Sequence, residues 1–262
     1  MNAPTRLLPG NLLPARLLGG VASGTPAKPG TPLYCLGRPG RPAPLPTLLI
    51  ADFDNSGSVT SPAGTDPLSN RFAEVAHAFS VVARKGSRRE LGAVLHFDVP
   101  SSGEVAPVPL TRAGLRQLQA GLRVPPDGAA TSRLGPSLEQ ARTLAAAYPD
   151  HAVTLVVLSD FLLLDADPPQ VLATLGVFPG TVHAVVLGGR DVPDLPTGRV
   201  TVTKVQRTDP PGAVATAVFA SLTRHRPGSR AFRESHAATA DGSSHISQRP
   251  TSLLPLIRNV VP

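Results

Sequence analysis

The architecture predicted by this sequence is an open, mostly parallel, doubly wound α/β sheet with helices on both faces, held between unstructured ends. Three observations predict it. Short apolar segments such as "LPTLLIADF" and "HAVTLVVLSD" alternate along the chain with segments of helical spacing, as expected when crossover helices bury a parallel sheet on both faces. Proline, 30 residues in all, is dense before residue 47 and absent from the longest apolar segments. Charge divides in the same way. From Pro46 to Thr223 the chain carries 14 Lys and Arg against 16 acids, net −2, whereas the ends carry 11 against two, net +9. These shifts assign 1–44 to a Pro/Gly-rich unstructured segment, 45–224 to one folded domain and 225–262 to a second unstructured segment. That last segment closes on a short apolar motif, "TSLLPLIRNVVP", which suits either a docking peptide or a merely sticky end.

Taken in order, "LPTLLIADF" is a strand buried on both faces, followed by a polar loop containing Pro62, Gly64 and Pro67. "SNRFAEVAHAFSVVARKG" spaces Phe72, Val75, Ala76, Phe79 and Val82 as a helix, with Gly86 as its stop. "ELGAVLHFD" is a second strand, and the two prolines of "VAPVPL" suit a short edge strand. "TRAGLRQLQAGL" is a helix capped by Thr111, and "TSRLGPSLEQARTLAAAY" is another, ending before Pro149. "HAVTLVVLSD" is the strongest strand. After it come a short helix "PPQVLATLG", strands "GTVHAVVLG" and "GRVTVTKVQ", and a closing helix "PPGAVATAVFASLTRH" with its prolines at the start, where they do least harm.

Composition narrows the function. A net charge of +7 and a pI near 10.6 would favour nucleic acid, but the basic residues lie in the ends. Aromatics make up 4% with no Trp, which leaves few stacking platforms, so no specific nucleic-acid recognition is expected. Cys35 is the sole cysteine, which excludes an intrachain disulfide and fits a reducing compartment. Pro9, Pro14 and Arg16 interrupt any signal-peptide core at the N-terminus, and no apolar stretch nears the roughly 20 residues of a membrane helix. A cytoplasmic protein without a membrane span is the expectation.

Ligands of an open parallel sheet bind at the carboxyl ends of its strands. Asp52, Asp54, Ser56 and Ser58 lie at one such end, Asp98 at a second and Asp160 at a third. Two chemistries fit. From Asp52 the text reads D-x-D and resembles the first motif of the haloacid-dehalogenase superfamily, which implies a metal-dependent phosphatase with Asp52 as nucleophile and Asp54 as acid/base. Asp160 and Asp165 would imitate its late acidic pair. That family's lysine ahead of the late acids has no counterpart, because the chain has no Lys between 86 and 203.

From Asp54 the same text reads D-x-S-x-S, Asp54-Asn55-Ser56-Gly57-Ser58, and Thr131 and Asp160 follow in order on other loops. Hydroxyls and carboxylates are hard oxygen donors suited to Mg²⁺, and neutral hydroxyls leave the ion much of its charge. On these residues the segment from about Leu45 to Leu222 resembles a von Willebrand factor A (vWA) domain with its metal-ion-dependent adhesion site. The resemblance implies Mg²⁺ or Mn²⁺ bound directly by Ser56 and Ser58, by Thr131 directly or through water according to state, and by Asp54 and Asp160 mainly through water. It further implies a protein partner that supplies an Asp or Glu to the ion, within a multiprotein assembly such as one built on an AAA-type ATPase.

Two departures from the family stand out. Phe161 replaces the usual glycine after Asp160 and is expected to crowd the rim of the site. Asp52 stands where an apolar residue is usual, either hydrogen-bonding the loop from behind or serving as a structural carboxylate. His77 and His96 lack partners at ligand spacing and are expected to be packing residues.

Overall fold

The computed structural model describes residues 33–36, 45–85, 88–189, 191, 195, 200–225 and 229–232. Its elements run β1 (Leu33–Leu36), β2 (Thr47–Phe53), α1 (Gly57–Thr60), α2 (Arg71–Lys85), β3 (Leu91–His96), β4 (Val105–Pro109), α3 (Arg112–Gly121), α4 (Leu134–Ala147), β5 (Ala152–Ser159), α5 (Pro168–Gly176), β6 (Thr181–Leu187), β7 (Val200–Val205), α6 (Ala213–His225) and β8 (Ser229–Phe232). Strands β2 to β7 form one sheet in the order β4-β3-β2-β5-β6-β7. All its pairings are parallel except β3 with β4, an antiparallel edge whose two prolines sit where few ladder bonds are lost. The doubly wound α/β sheet predicted from the alternation of strands and helices is therefore the architecture observed.

Every residue of β2 is buried, which explains its unbroken apolar run. The pleat sends Leu49, Ala51 and Phe53 into the core beneath α2, α3 and α6, and Leu48 and Ile50 into the core beneath α4 and α5. Continuing the alternation places Asp52 on the α4 side. Strand order reverses between β2 and β5: the chain winds one way from β2 to β3 and β4, and the other way from β5 to β6 and β7. Loops leaving β2 and β5 must diverge there, so a crevice forms at their carboxyl ends.

Caps follow the sequence in part. Thr111 caps α3 by accepting from the Gly114 N–H (3.3 Å), and Asp167 caps α5 by accepting from Gln170 N–H (3.0 Å). Helix α6 is capped by another helix. Glu74 of α2 accepts from Gly212 N–H and Ala215 N–H, both at 3.0 Å, with its side chain wholly buried.

Two features depart from expectation. Gly57–Thr60, read as loop, is one turn of helix. β1 and β8 fall in the segments read as unstructured, yet they pair antiparallel, with Leu33 opposite Phe232 and Leu36 opposite Ser229. This ribbon packs on α6 and α2. Strands of four residues are too short to display a period, so composition dominated the expectation. The remainder of both segments, including "TSLLPLIRNVVP", lies outside the described residues, as does Gly86. No helix among the described residues is long and apolar enough to cross a membrane.

Candidate functional site

Asp54 leaves β2 as its ladder ends: its N–H still donates to Leu158 O of β5 (3.0 Å). The side chain then becomes the hub of the crevice. Asp54 Oδ1 accepts from Ser56 N–H (2.9 Å), and Oδ2 accepts from Ser159 Oγ (2.6 Å) and Ser132 Oγ (3.2 Å). Two loops and the end of β5 thus meet on one carboxylate. Ser56 Oγ and Ser58 Oγ lie 3.0 Å apart on the first turn of α1. Asp160, 2% exposed, accepts from Leu162 N–H with Oδ1 (3.1 Å), and its buried Oδ2 has no hydrogen-bond partner. Burial raises the Asp54 pKa and the nearby charge of Asp160 raises it further, against the lowering effect of bonds from Ser159 and Ser56.

The loop carrying these groups is held from beneath by a buried cation. Arg71, at the start of α2, is fully buried. Its Nη2 donates to Asp54 O (2.8 Å) and to Asn55 Oδ1 (3.0 Å). Its Nη1 lies 2.6 Å from Asp66 Oδ2, an ion pair without the alignment of a straight hydrogen bond. The guanidinium also rests on Phe72, 4.6 Å from the ring centroid. Asn55 passes the constraint on, with Nδ2 2.9 Å from His96 Nδ1, while His96 Nε2 lies 3.0 Å from Gly121 O. This pattern requires a neutral imidazole, protonated on Nε2 and accepting on Nδ1. Burial lowers the His96 pKa, in keeping with that state.

Of the residues singled out in the sequence, Asp54, Ser56, Ser58 and Asp160 come together. Thr131 takes a different part: its backbone N–H donates to Asp98 Oδ1 (2.8 Å), and the next residue, Ser132, sends its hydroxyl to Asp54. The cause is local. Ala130 adopts a left-handed φ of 51°, which turns the chain one residue early, and the Asp98 bond fixes Thr131 there. Ser132 stands two residues before the first apolar residue of α4, and that spacing was the available signal. Ser159 was also missed, its hydroxyl hidden at the end of an apolar strand.

Asp52 reaches α4. Its Oδ2 accepts from Ser137 Oγ (2.7 Å), its Oδ1 is buried without a partner, and burial pushes its pKa up to about 7. With no exposed surface, this carboxylate presents no face to an incoming phosphate. Asp165, the other acid of the phosphatase alternative, is occupied by α4 backbone, accepting from Leu134 N–H and Gly135 N–H. Phe161 corrects an expectation. It takes φ 57°, the left-handed conformation a glycine would favour, but its side chain is 6% exposed and packs in the α4/α5 core instead of crowding the rim.

No family model matches the chain, and no curated protein matches it. Solved structures do. They include a von Willebrand factor type A protein from Catenulispora acidiphila (TM-score 0.45, 16% identity, 68% of this chain and 42% of that one). The pilus adhesin SpaC from Lactobacillus rhamnosus GG matches with TM-score 0.50 and 13% identity, over 69% of this chain and 30% of the other. The SpRpn10 VWA domain matches with TM-score 0.45 and 9% identity, over 66% of this chain and 94% of that domain. What the chain shares with the pilus adhesin is a fold, the mostly parallel α/β sheet flanked by helices. The chain spans less than half the length of the first two of these structures, and at such identities the likeness concerns fold alone.

At the carboxyl ends of β2 and β5 the donor set is mixed. Among the described residues no three of His, Cys, Asp and Glu gather as a ligand cluster; hydroxyls and two carboxylates converge instead. That set fits a hard divalent cation. A buried carboxylate oxygen without a partner and a facing pair of serine hydroxyls are groups that an ion of the Mg²⁺ type satisfies.

Proposed function

We propose that the chain is a divalent-metal-dependent protein-binding module, with Ser56, Ser58 and Ser132 as hydroxyl donors and Asp54 and Asp160 as carboxylates. Ser132 takes the part expected of Thr131. The observation that carries the proposal is the meeting of two loops and the end of β5 on Asp54, beside an Asp160 oxygen that is buried and unpartnered. Bound Mg²⁺ or Mn²⁺ would supply a Lewis-acidic position open to an outside carboxylate. The chain's own residues do the rest. Asp54 gathers the two loops and the end of β5, Arg71 fixes the loop by donating to Asp54 O and Asn55 Oδ1, and the serines leave the ion's charge largely undiminished. The partner is a protein offering Asp or Glu, and the setting implied by the resemblance is a cytoplasmic multiprotein assembly, with an AAA-type ATPase as the partner class.

The test is thermal unfolding of the full chain with and without Mg²⁺, followed by capture of partners in Mg²⁺ and in chelator. Ligand at ten times its Kd stabilises the native state by about 1.4 kcal/mol. Wild type and Thr131→Ala should show that gain and retain a metal-dependent partner, and Ser132→Ala should lose both. Equal stability of the wild type in Mg²⁺ and chelator would sink the proposal.

A further inference from the structure

Helix α4, which follows Ser132, lacks a cap of its own. Arg133 occupies its N-cap with extended backbone (φ −103°, ψ 104°) and makes no side-chain capping bond. The cap comes from the loop after β5. Leu134 N–H donates to Asp165 Oδ2 and Gly135 N–H to Asp165 Oδ1, both at 2.9 Å. Beside them Leu164 N–H donates to Ser132 O, also at 2.9 Å. A glycine at 135 makes the approach possible, since a Cβ there would stand 2.8 Å from Asp165 Oδ1.

These three bonds join the segment that presents Ser132 to the segment that follows Asp160. A Ser or Asp at position 133 would cap α4 locally and would join nothing. A carboxylate borrowed from the neighbouring loop caps the helix, satisfies its dipole, and sets the separation of the two loops as well. Both oxygens of Asp165 are engaged by the α4 backbone.

We infer that Asp165 is the positioning residue of the ion site, fixing Ser132 and Asp160 relative to each other so that ion affinity depends on its bridge between the two loops and not on the capping of α4 alone. The inference rests on the metal-dependent function proposed above. Its test uses the full chain as wild type, Asp165→Ala, and Asp165→Ala combined with Arg133→Ser, which returns a local cap to α4. Mn²⁺ binding is measured by calorimetry, and thermal unfolding is measured in chelator. Asp165→Ala should unfold at lower temperature and bind Mn²⁺ roughly 10- to 100-fold more weakly, the range found when groups supporting metal ligands are removed. The double variant should regain its unfolding temperature without regaining affinity.

Affinity that returns together with stability would make Asp165 a helix cap and nothing more, and would overturn the inference. Wild-type affinity in Asp165→Ala would overturn it while leaving the ion site intact. Failure of the wild type to bind Mn²⁺ would overturn both. Asp165→Asn, which keeps one acceptor oxygen, serves if the alanine variant does not fold, and should fall between wild type and a full loss.

Discussion

Phe161 sets two costs against each other. A left-handed φ of 57° in a bulky L-residue costs about 1–2 kcal/mol, whereas truncating a buried Phe costs about 3–5 kcal/mol. Burial outweighs strain. Phe161→Gly should therefore destabilise the domain by roughly 2–3 kcal/mol in urea denaturation, although it relieves the left-handed strain. A gain in stability would show that the side chain contributes little. Residue-level legibility was uneven for reasons of the same kind. Asp54 and Asp160 could be placed at the sheet's carboxyl end because each directly follows a strand, whereas the helical turn that carries Ser58 has no signal of its own. Thr131 and Ser132 are adjacent hydroxyls in a loop. The choice between them depends on Ala130's φ and on Asp98, neither of which a local pattern records.

Among the elements, the long strands and helices were legible because burial on both faces, or on one stripe, writes itself into composition. The ribbon of β1 and β8 was not, since each strand is four residues long and its partner lies at the far end of the chain. Its backbone pairing is a testable element. Deleting residues 226–262 removes β8 and leaves β1 without its ladder. The backbone amides of 33–36 should then exchange with solvent much faster, while those of β2 and β5 in the main sheet keep their protection. Unchanged exchange at 33–36 would mean that the ribbon does not persist in solution. Borrowed caps are a second element-level device that local reading misses. Helix α6 takes Glu74 from α2 and α4 takes Asp165 from the β5 loop, so neither helix start carries its full signal in its own sequence.

For the molecule as a whole, buried groups pull stability in opposite directions with pH: Asp52 and Asp54, both raised by burial, against His96, lowered by it. Asp52 has its pKa raised, to about 7, so its contribution is full below the ordinary carboxylate range and is lost as pH rises toward 7. His96 has its pKa lowered by burial, so its contribution is full above the ordinary histidine value near 6.5 and is lost as pH falls. In chelator, the wild type should therefore show a shallow stability profile between pH 5 and 7. Asp52→Asn removes one of the two carboxylate contributions and should tilt the profile toward higher pH relative to wild type across that window, measured by denaturant unfolding. A parallel profile for the two proteins would show that Asp52 is ionised throughout. Arg71 stiffens the His96 side of this balance. A protonated His96 would need Asn55 to turn its amide, which would set an Asn55 N–H₂ against Arg71 Nη2, donor against donor.

The antiparallel ribbon also decides how the domain bears load. Because Leu33 faces Phe232, the chain enters β1 and leaves β8 at the same end of the ladder. Tension applied between the flanking segments peels the pairs apart in series, from Leu33–Phe232 inward, with each bond carrying the whole force in turn. Such a ladder yields at low force, whereas strands sheared along their length share the load. Under pull the ribbon acts as a mechanical fuse, parting and paying out slack before the six-stranded sheet is strained.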